Sequence, residues 1–395
     1  MPEFPFDLLR RWPDTEASNL FAVDASDRLI LDEAAPLLES AGGGAVAILG
    51  DHYGALTLGA GALGARGVRV HQDSLVGERA LQANAQRLGD VVGRADFVPV
   101  PLGPELLGGA EVVLMQLPRS LAELDEWSDA IARWAAPSVT VIAGGRLKHM
   151  TRAMNDVLAR SFEEVTARLA RQKSRALVGR GPRGDRGPSR FPITQCVEGT
   201  VLPGGELVVC AHGGAFAGAA LDVGTRYLLE FLPQFAGPVG DAPAPGDVID
   251  LGSGTGILAT ALARSYPRRA VLAVDSSAAA VLSTLATAEA NDVADRVRAV
   301  REDALTERPD RSARLIVCNP PFHSGAAVQS DLALRVLGDA RRVLRRDGEL
   351  WTVFNTHLAH APALQRLVGP TEVMGQNAKF TVTRSRVARG EPDAA

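Results

Sequence analysis

The sequence predicts an α/β protein of two tandem doubly wound domains, the second with its chemistry intact and the first degenerate. Three observations carry that expectation. Short apolar runs of strand length alternate with longer helical patterns through both halves of the chain. The order of landmarks in the first half recurs in the second, as an internal duplication would leave it. At 395 residues the chain is also too long for one comfortable hydrophobic core.

In the second half, residues 247–251 (DVIDL) read as a buried strand entering a glycine-rich turn. Residues 257–264 begin a helix, 270–274 form a second strand, and 277–290 a second helix. Residues 315–318 are a further strand, 331–344 a helix and 349–354 another strand. Short connections between alternating β and α units imply a parallel sheet. The first half repeats the order: residues 45–49 lead to Gly50-Asp51, and 68–71 precede Asp73. The next helix holds Ala83-Asn84, as the later one holds Ala290-Asn291. Residues 111–115 then lead into Gln116-Leu117-Pro118-Arg119, where the second half has Asn319-Pro320-Pro321-Phe322, and 140–142 supply the next strand. The first copy lacks closely spaced glycines as well, so it is expected to keep the fold and lose the catalysis. Between the halves, residues 179–190 (GRGPRGDRGPSR) show no apolar period and read as a basic linker or mobile loop. The expected domains are therefore 1–178 and 191–395.

A net charge of −4 excludes a polybasic chain as a whole. Cys196, Cys210 and Cys318 show no CxxC spacing, and His357 and His360 stand without a cysteine or carboxylate cluster, so no metal is expected. The first residues lack the order of a signal peptide and no apolar run approaches a membrane span. A soluble, cytoplasmic protein is expected.

The cofactor reading rests on Asp250-Leu-Gly252-Ser253-Gly254-Thr-Gly256, which follows a strand and opens a helix. A dinucleotide turn has the spacing G-x-G-x-x-G and leaves a helix N-terminus for pyrophosphate. Here the spacing is G-x-G-x-G after an acidic residue. Asp250 would repel a pyrophosphate but attract an ammonium group, which points to S-adenosylmethionine. Asp275, with Ser276 beside it, closes the next strand, where a carboxylate accepts from ribose hydroxyls or else caps the following helix. Asp303 falls at the end of the third strand and is either a partner for an adenine amino group or a plain loop carboxylate.

Asn319-Pro320-Pro321-Phe322 directly follows an apolar strand. Two prolines hold the backbone extended and remove two donors, leaving carbonyl oxygens to face a cleft. The exocyclic amine of a base is a poor nucleophile because its lone pair is delocalised. The Asn319 side-chain oxygen and the Pro320 carbonyl could accept its two protons and localise that pair, while Phe322 stacks on the base. The same pocket would serve adenine N6, a protein glutamine N5 or a small-molecule amine. A non-catalytic RNA-binding assembly factor is the reading from another class.

The motif extended to Asn319–His323 and Gly325 resembles that of the bacterial ribosomal RNA guanine-N2 methyltransferases, as do Phe216, Leu221–Thr225, Gly348-Glu349-Leu350, Asn355 and Lys379-Phe380. The resemblance implies two Rossmann-like class I methyltransferase domains, the first degenerate, with S-adenosylmethionine as cofactor and a guanine of ribosomal RNA as substrate. It also makes His323 and Phe380 candidate substrate contacts, although a histidine bonded to backbone fits position 323 equally. Residues 146–190 carry twelve Lys or Arg against four acidic residues, a footprint suited to a phosphate backbone or to a solvated face. Arg171, Lys173 and Arg175 are the RNA contacts expected there, and a monomer is expected.

Overall fold

A computed structural model describes residues 4–92, 96–184, 187–235, 247–320 and 327–387. The chain divides into two compact units, residues 1–191 and 192–395. In the first unit the strands are β1 (Val46–Leu49), β2 (Val68–His71), β3 (Phe97–Pro99), β4 (Val112–Gln116), β5 (Thr140–Arg146), β6 (Phe162–Ala167) and β7 (Ser174–Pro182). They form one sheet in the order β3-β2-β1-β4-β5-β7-β6. Strands β1 to β5 pair in parallel, and β7 runs antiparallel to β5 and β6.

The second unit opens with a hairpin of β8 (Ile193–Glu198) and β9 (Glu206–Ala211). Its main sheet holds β10 (Val248–Leu251), β11 (Val271–Asp275), β12 (Val297–Arg301), β13 (Ala313–Cys318), β14 (Leu344–Asn355), β15 (Thr371–Gln376) and β16 (Phe380–Arg386). The order β12-β11-β10-β13-β14-β16-β15 repeats that of the first sheet, again with five strands paired in parallel and one, β16, antiparallel to both of its neighbours, β14 and β15. Each sheet is covered by apolar side chains on both faces. Fully buried central strands such as Val46–Leu49 and Val248–Leu251 are continuous apolar runs for that reason. In each unit the strand order reverses beside the first strand, between β1 and β4 and between β10 and β13. A doubly wound sheet opens its ligand crevice at that point.

Register makes the duplication explicit. Leu49 pairs with His71 and Met115, and Leu251 with Val274 and Cys318. Gln116 and Asn319 are therefore equivalent, each one residue beyond those strand partners. Counted from the same strand ends, Asn84 falls opposite Thr287, not Asn291 as the dipeptide match suggested. The helix in unit 1, Leu75–Val92, is longer than Ala278–Ala290, and the two asparagines sit at different depths along them.

Residues 179–182 are not linker. They close β7, with Gly179 paired to Val141 and Arg180 to Thr140, because a place between β5 and β6 satisfies backbone that composition alone leaves unassigned. Arg190 reaches Asp125 at 2.8 Å and ties the following segment to the helix Leu121–Trp134. No helix among the described residues is long and apolar enough to cross a membrane.

Besides its pairing with β8, β9 is held by side chains of the helix Ala278–Ala290 and its C-cap Asn291. Ser283 Oγ accepts from His212 N at 2.9 Å, and Thr287 Oγ1 accepts from Cys210 N and donates to Cys210 O. Asn291 Oδ1 accepts from Val208 N, and its Nδ2 donates to Val208 O. Polar residues four apart on a helix thus meet alternate residues of a strand, two repeats of about 6 to 7 Å.

Candidate active site

The turn after β10 is built by its glycines. Gly252, Gly254 and Gly256 all have positive φ, at 75°, 55° and 76°. Their surroundings differ. A Cβ on Gly252 or Gly254 would meet no atom within 4 Å, whereas one on Gly256 would lie 2.8 Å from Thr284 Cα. The first two glycines line an open cradle. The third lets the helix Ile257–Ser265 start against its neighbour.

Asp250 is wholly buried beneath that cradle. Its Oδ2 accepts from Ala259 N at 2.9 Å, and its Oδ1 has no partner among the described residues. Desolvation, reinforced by the Asp275 charge, pushes its pKa up to about 7. A buried acceptor left unmatched beside an open glycine cradle fits a cationic group such as the ammonium of S-adenosylmethionine. Asp275, at the end of β11, accepts from Gly254 N at 3.0 Å and Ser277 N at 2.9 Å. It braces the glycine turn, while Ser277 caps the next helix by accepting from Ala280 N. Ser253 turns inward, its hydroxyl 3.1 Å from that of Thr284, and is mostly buried. Asp303 is buried and accepts from Arg335 Nη1 at 3.1 Å.

Asn319 stands at the carboxyl end of β13, next to the buried Pro320. Its Nδ2 donates to Asp222 Oδ2 at 2.9 Å and to Thr225 Oγ1 at 3.0 Å. Among the described residues nothing donates to its Oδ1. Pro321, Phe322 and His323 lie outside the described residues.

The same place in unit 1 is a crevice of about 560 Å³ but carries other groups. Ile48 and Gln72 occupy the register places of Asp250 and Asp275, and Gln72 bonds to the carbonyls of Asp51 and Gly77. A Cβ on Gly50, the counterpart of Gly252, would meet the Trp127 ring at 3.0 Å. Gln116 is satisfied at both ends, accepting from Ser26 Oγ at 3.1 Å and donating to Asp27.

Two family models match the chain: a methyltransferase small domain over residues 206–384 and an RLMG N-terminal domain over residues 4–182. The second ends on the last residue of β7. The ribosomal RNA large subunit methyltransferase G of Streptomyces avermitilis is 33% identical over 384 residues, covering 95% of this chain and 96% of its own length. The protein of that name from Pseudomonas aeruginosa strain UCBPP-PA14 is 33% identical over 396 residues, covering 98% and 100%. The chain belongs to this family. A solved structure, the T. thermophilus 16S rRNA N2 G1207 methyltransferase (RsmC) in complex with AdoMet and guanosine, shares the fold. Its TM-score is 0.69 at 24% identity, over 90% of this chain and 92% of that one.

For a family member acting on RNA, the placement of the expected substrate contacts is uneven. Phe380 is half-buried and close to Asn319: a Cβ on Gly224 would lie 3.1 Å from Asn319 Oδ1 and 3.3 Å from Phe380 Cε1. Lys173 is exposed in the tight turn between β6 and β7, with φ 59°. Arg171 reaches Asp32 and Glu33 at 3.3 and 3.7 Å, and Arg175 is half-buried in β7. Arg160 and Arg190 share Asp125, and Arg168 meets Glu33, so much of the positive excess of residues 146–190 is met within unit 1. Sequence reasoning took Leu221–Thr225 as a signature and missed what Asp222 and Thr225 hold. Their partner lies 97 and 94 residues away, and no local pattern links them.

Proposed function

We propose that this chain transfers the methyl group of S-adenosylmethionine to the exocyclic N2 amine of a guanine in large-subunit ribosomal RNA, using unit 2 for the chemistry. The observation that carries the proposal is Asn319, whose nitrogen is bonded while its oxygen is left over at the crevice end of β13. The cofactor supplies an electrophilic methyl on a sulfonium centre. Asn319 Oδ1 and the Pro320 carbonyl accept hydrogen bonds from the two N–H groups of the amine and draw the lone pair out of the ring. They stabilise the positive charge that develops on nitrogen as it gains the methyl, and the surplus proton of the methylated amine is then lost to solvent. Orientation of the two reactants supplies much of the remaining acceleration. Gly252, Ser253, Gly254 and Gly256 shape the turn, Asp250 meets the ammonium, Asp275 and Ser276 the ribose, and Asp303 the adenine amine. Asn319 also borders the cofactor.

Because the N2 amine of a paired guanine is held in a stack, the base is flipped out to reach Asn319, where Phe322 and Phe380 flank it and His323 borders it. Lys173, with Arg171 and Arg175, meets RNA phosphate in this reading. The protein acts as a cytoplasmic monomer. The test is methyl transfer to ribosomal RNA from a strain lacking the enzyme, with nucleoside mass spectrometry. N2-methylguanosine should appear with wild type and vanish with Asn319→Ala. N6-methyladenosine, or no methyl incorporation, would overturn the proposal.

A further inference from the structure

We propose that Asp222 and Thr225 are positioning residues for the catalytic amide, holding Asn319 with its oxygen toward the acceptor amine and its nitrogen locked behind. This rests on the reading that Asn319 meets the substrate amine, and it adds the carboxylate that decides which end of the amide does so and the hydroxyl that holds the nitrogen beside it.

A primary amide has two ends of nearly equal shape and opposite polarity, so its neighbours alone select the orientation. Behind Asn319 lie two acceptors. Asp222 Oδ2 takes one Nδ2 proton and Thr225 Oγ1 the other. An ionised carboxylate can only accept. A reversed amide would set Asn319 Oδ1 against Asp222 Oδ2, two acceptors at hydrogen-bond distance with no proton between them.

The lock is itself fixed. Asp222 caps the helix Val223–Leu229, and the same Oδ2 accepts from Gly224 N at 2.9 Å and Thr225 N at 3.1 Å. Three donors converge on one oxygen, so the carboxylate cannot swing without giving up the helix cap. Gly224 completes the arrangement. A Cβ there would lie 3.0 Å from Asp222 Oδ2 and 3.1 Å from Asn319 Oδ1, leaving no room for the amide between them. The carboxylate also polarises the amide from behind, raising negative charge on the oxygen that faces the developing cation.

Unit 1 supplies an internal control. The helix Ala25–Ser40 is capped by Asp24, and Gln116 donates to Asp27, which stands at the third residue of that helix as Thr225 does in its own. There, however, Ser26 donates to the amide oxygen, whereas Gly224 at the matching place in unit 2 has no side chain to do so. The scaffold is common to both units, and among the described residues the amide oxygen is left open in unit 2 and closed off in unit 1.

The test uses the full chain with four variants. Thr225→Val keeps the volume and removes the acceptor, and Thr225→Ser restores it. Asp222→Asn keeps an oxygen for the cap and removes the charge, and Asn319→Ala assigns the side-chain amide in spectra of protein labelled with ¹⁵N-asparagine. We expect kcat to fall about tenfold or more in Thr225→Val and Asp222→Asn and to return within about threefold of wild type in Thr225→Ser. RNA KM and cofactor Kd should stay within about twofold in the Thr225 and Asp222 variants. Hydrogen exchange of the Asn319 side-chain amide should quicken about tenfold in the same two variants. Unchanged kcat, or unchanged exchange, in both Thr225→Val and Asp222→Asn overturns the inference. The exchange measurement needs no substrate, so it decides the positioning role even if wild type methylates no guanine.

Discussion

Gln116 and Asn319 occupy the same place in two sheets of identical strand order, each one residue beyond a strand end paired with β1 or β10. Gln116 is closed off by Ser26 and Asp27, and Asn319 keeps one oxygen open. Asn319→Ala should therefore lower kcat by about a hundredfold or more, with cofactor affinity within about threefold. Gln116→Ala should leave kcat unchanged. It should cost unit 1 about 1–3 kcal/mol, because Asp27 and Ser26 lose a buried partner. Steady-state kinetics and urea unfolding of each variant check both halves of this expectation.

Asp250 makes cofactor binding pH-dependent. Burial raises its pKa to about 7, so the folded protein holds a proton there that the unfolded chain releases near its ordinary value of 3.8. Stability from this group is accordingly greatest at low pH and is lost as pH rises toward 7. A cationic ligand favours the ionised carboxylate, so binding expels the proton. Affinity for S-adenosylmethionine should rise as pH approaches about 7 and fall again above about 8, where the ligand's own ammonium loses its proton. Calorimetry at pH 6, in buffers of different ionisation enthalpy, should show proton release on binding. Asp250→Asn should abolish that release.

The polar ladder from Ser283 to Asn291 is what keeps β9 in place. Asn291→Ala removes both bonds to Val208, and Thr287→Val removes both to Cys210. Each should cost unit 2 about 1–3 kcal/mol, since the partners left behind are backbone groups. Urea unfolding is the measurement. Asn291→Ala with a midpoint equal to wild type would show the ladder to be dispensable.

That ladder also marks where the sequence stops being legible. The central strands were readable because buried parallel strands are apolar throughout, as in Val46–Leu49 and Val248–Leu251, and because the glycines of 252–256 interrupt them sharply. The hairpin of β8 and β9 was not. Ser283, Thr287 and Asn291 look like a solvent face on a helix, yet they are buried and stand in for a strand. Gly179–Pro182 reads as loop because glycine and proline suit loops, yet Gly179 and Arg180 pair with both β5 and β6, and Pro182 falls past the β5 pairing, where Phe162 of β6 faces it. Gly256 carried two meanings in one letter. It reads as part of a cofactor turn, but Gly54 keeps the same role in unit 1, with φ 101° and a Cβ that would lie 2.9 Å from Leu81, where the cofactor acids are absent.

Those absent acids set the binding stoichiometry. In unit 1 Ile48 cannot meet an ammonium, and Gln72 is engaged with the carbonyls of Asp51 and Gly77. The Trp127 ring covers Gly50, where unit 2 leaves open space above Gly252. Buried charge in that unit is turned inward: Asp51 accepts from Leu56 N and Thr57 N at 2.8 and 2.7 Å, and burial raises its pKa to about 6. A cationic ligand arriving there would find a crevice of about 560 Å³, but with Ile48 and the engaged Gln72 in place of the two acids and the Trp127 ring against Gly50. Titration of the full chain with S-adenosylmethionine should give one site per chain. Asp250→Ala combined with Asp275→Ala should abolish it without exposing a weaker second site. A Trp127→Ala variant, which clears the ring from Gly50, should still show one site, because clearing space restores neither acid. A second equivalent of cofactor bound by wild type would mean that the crevice of unit 1 accepts the ligand by groups other than these.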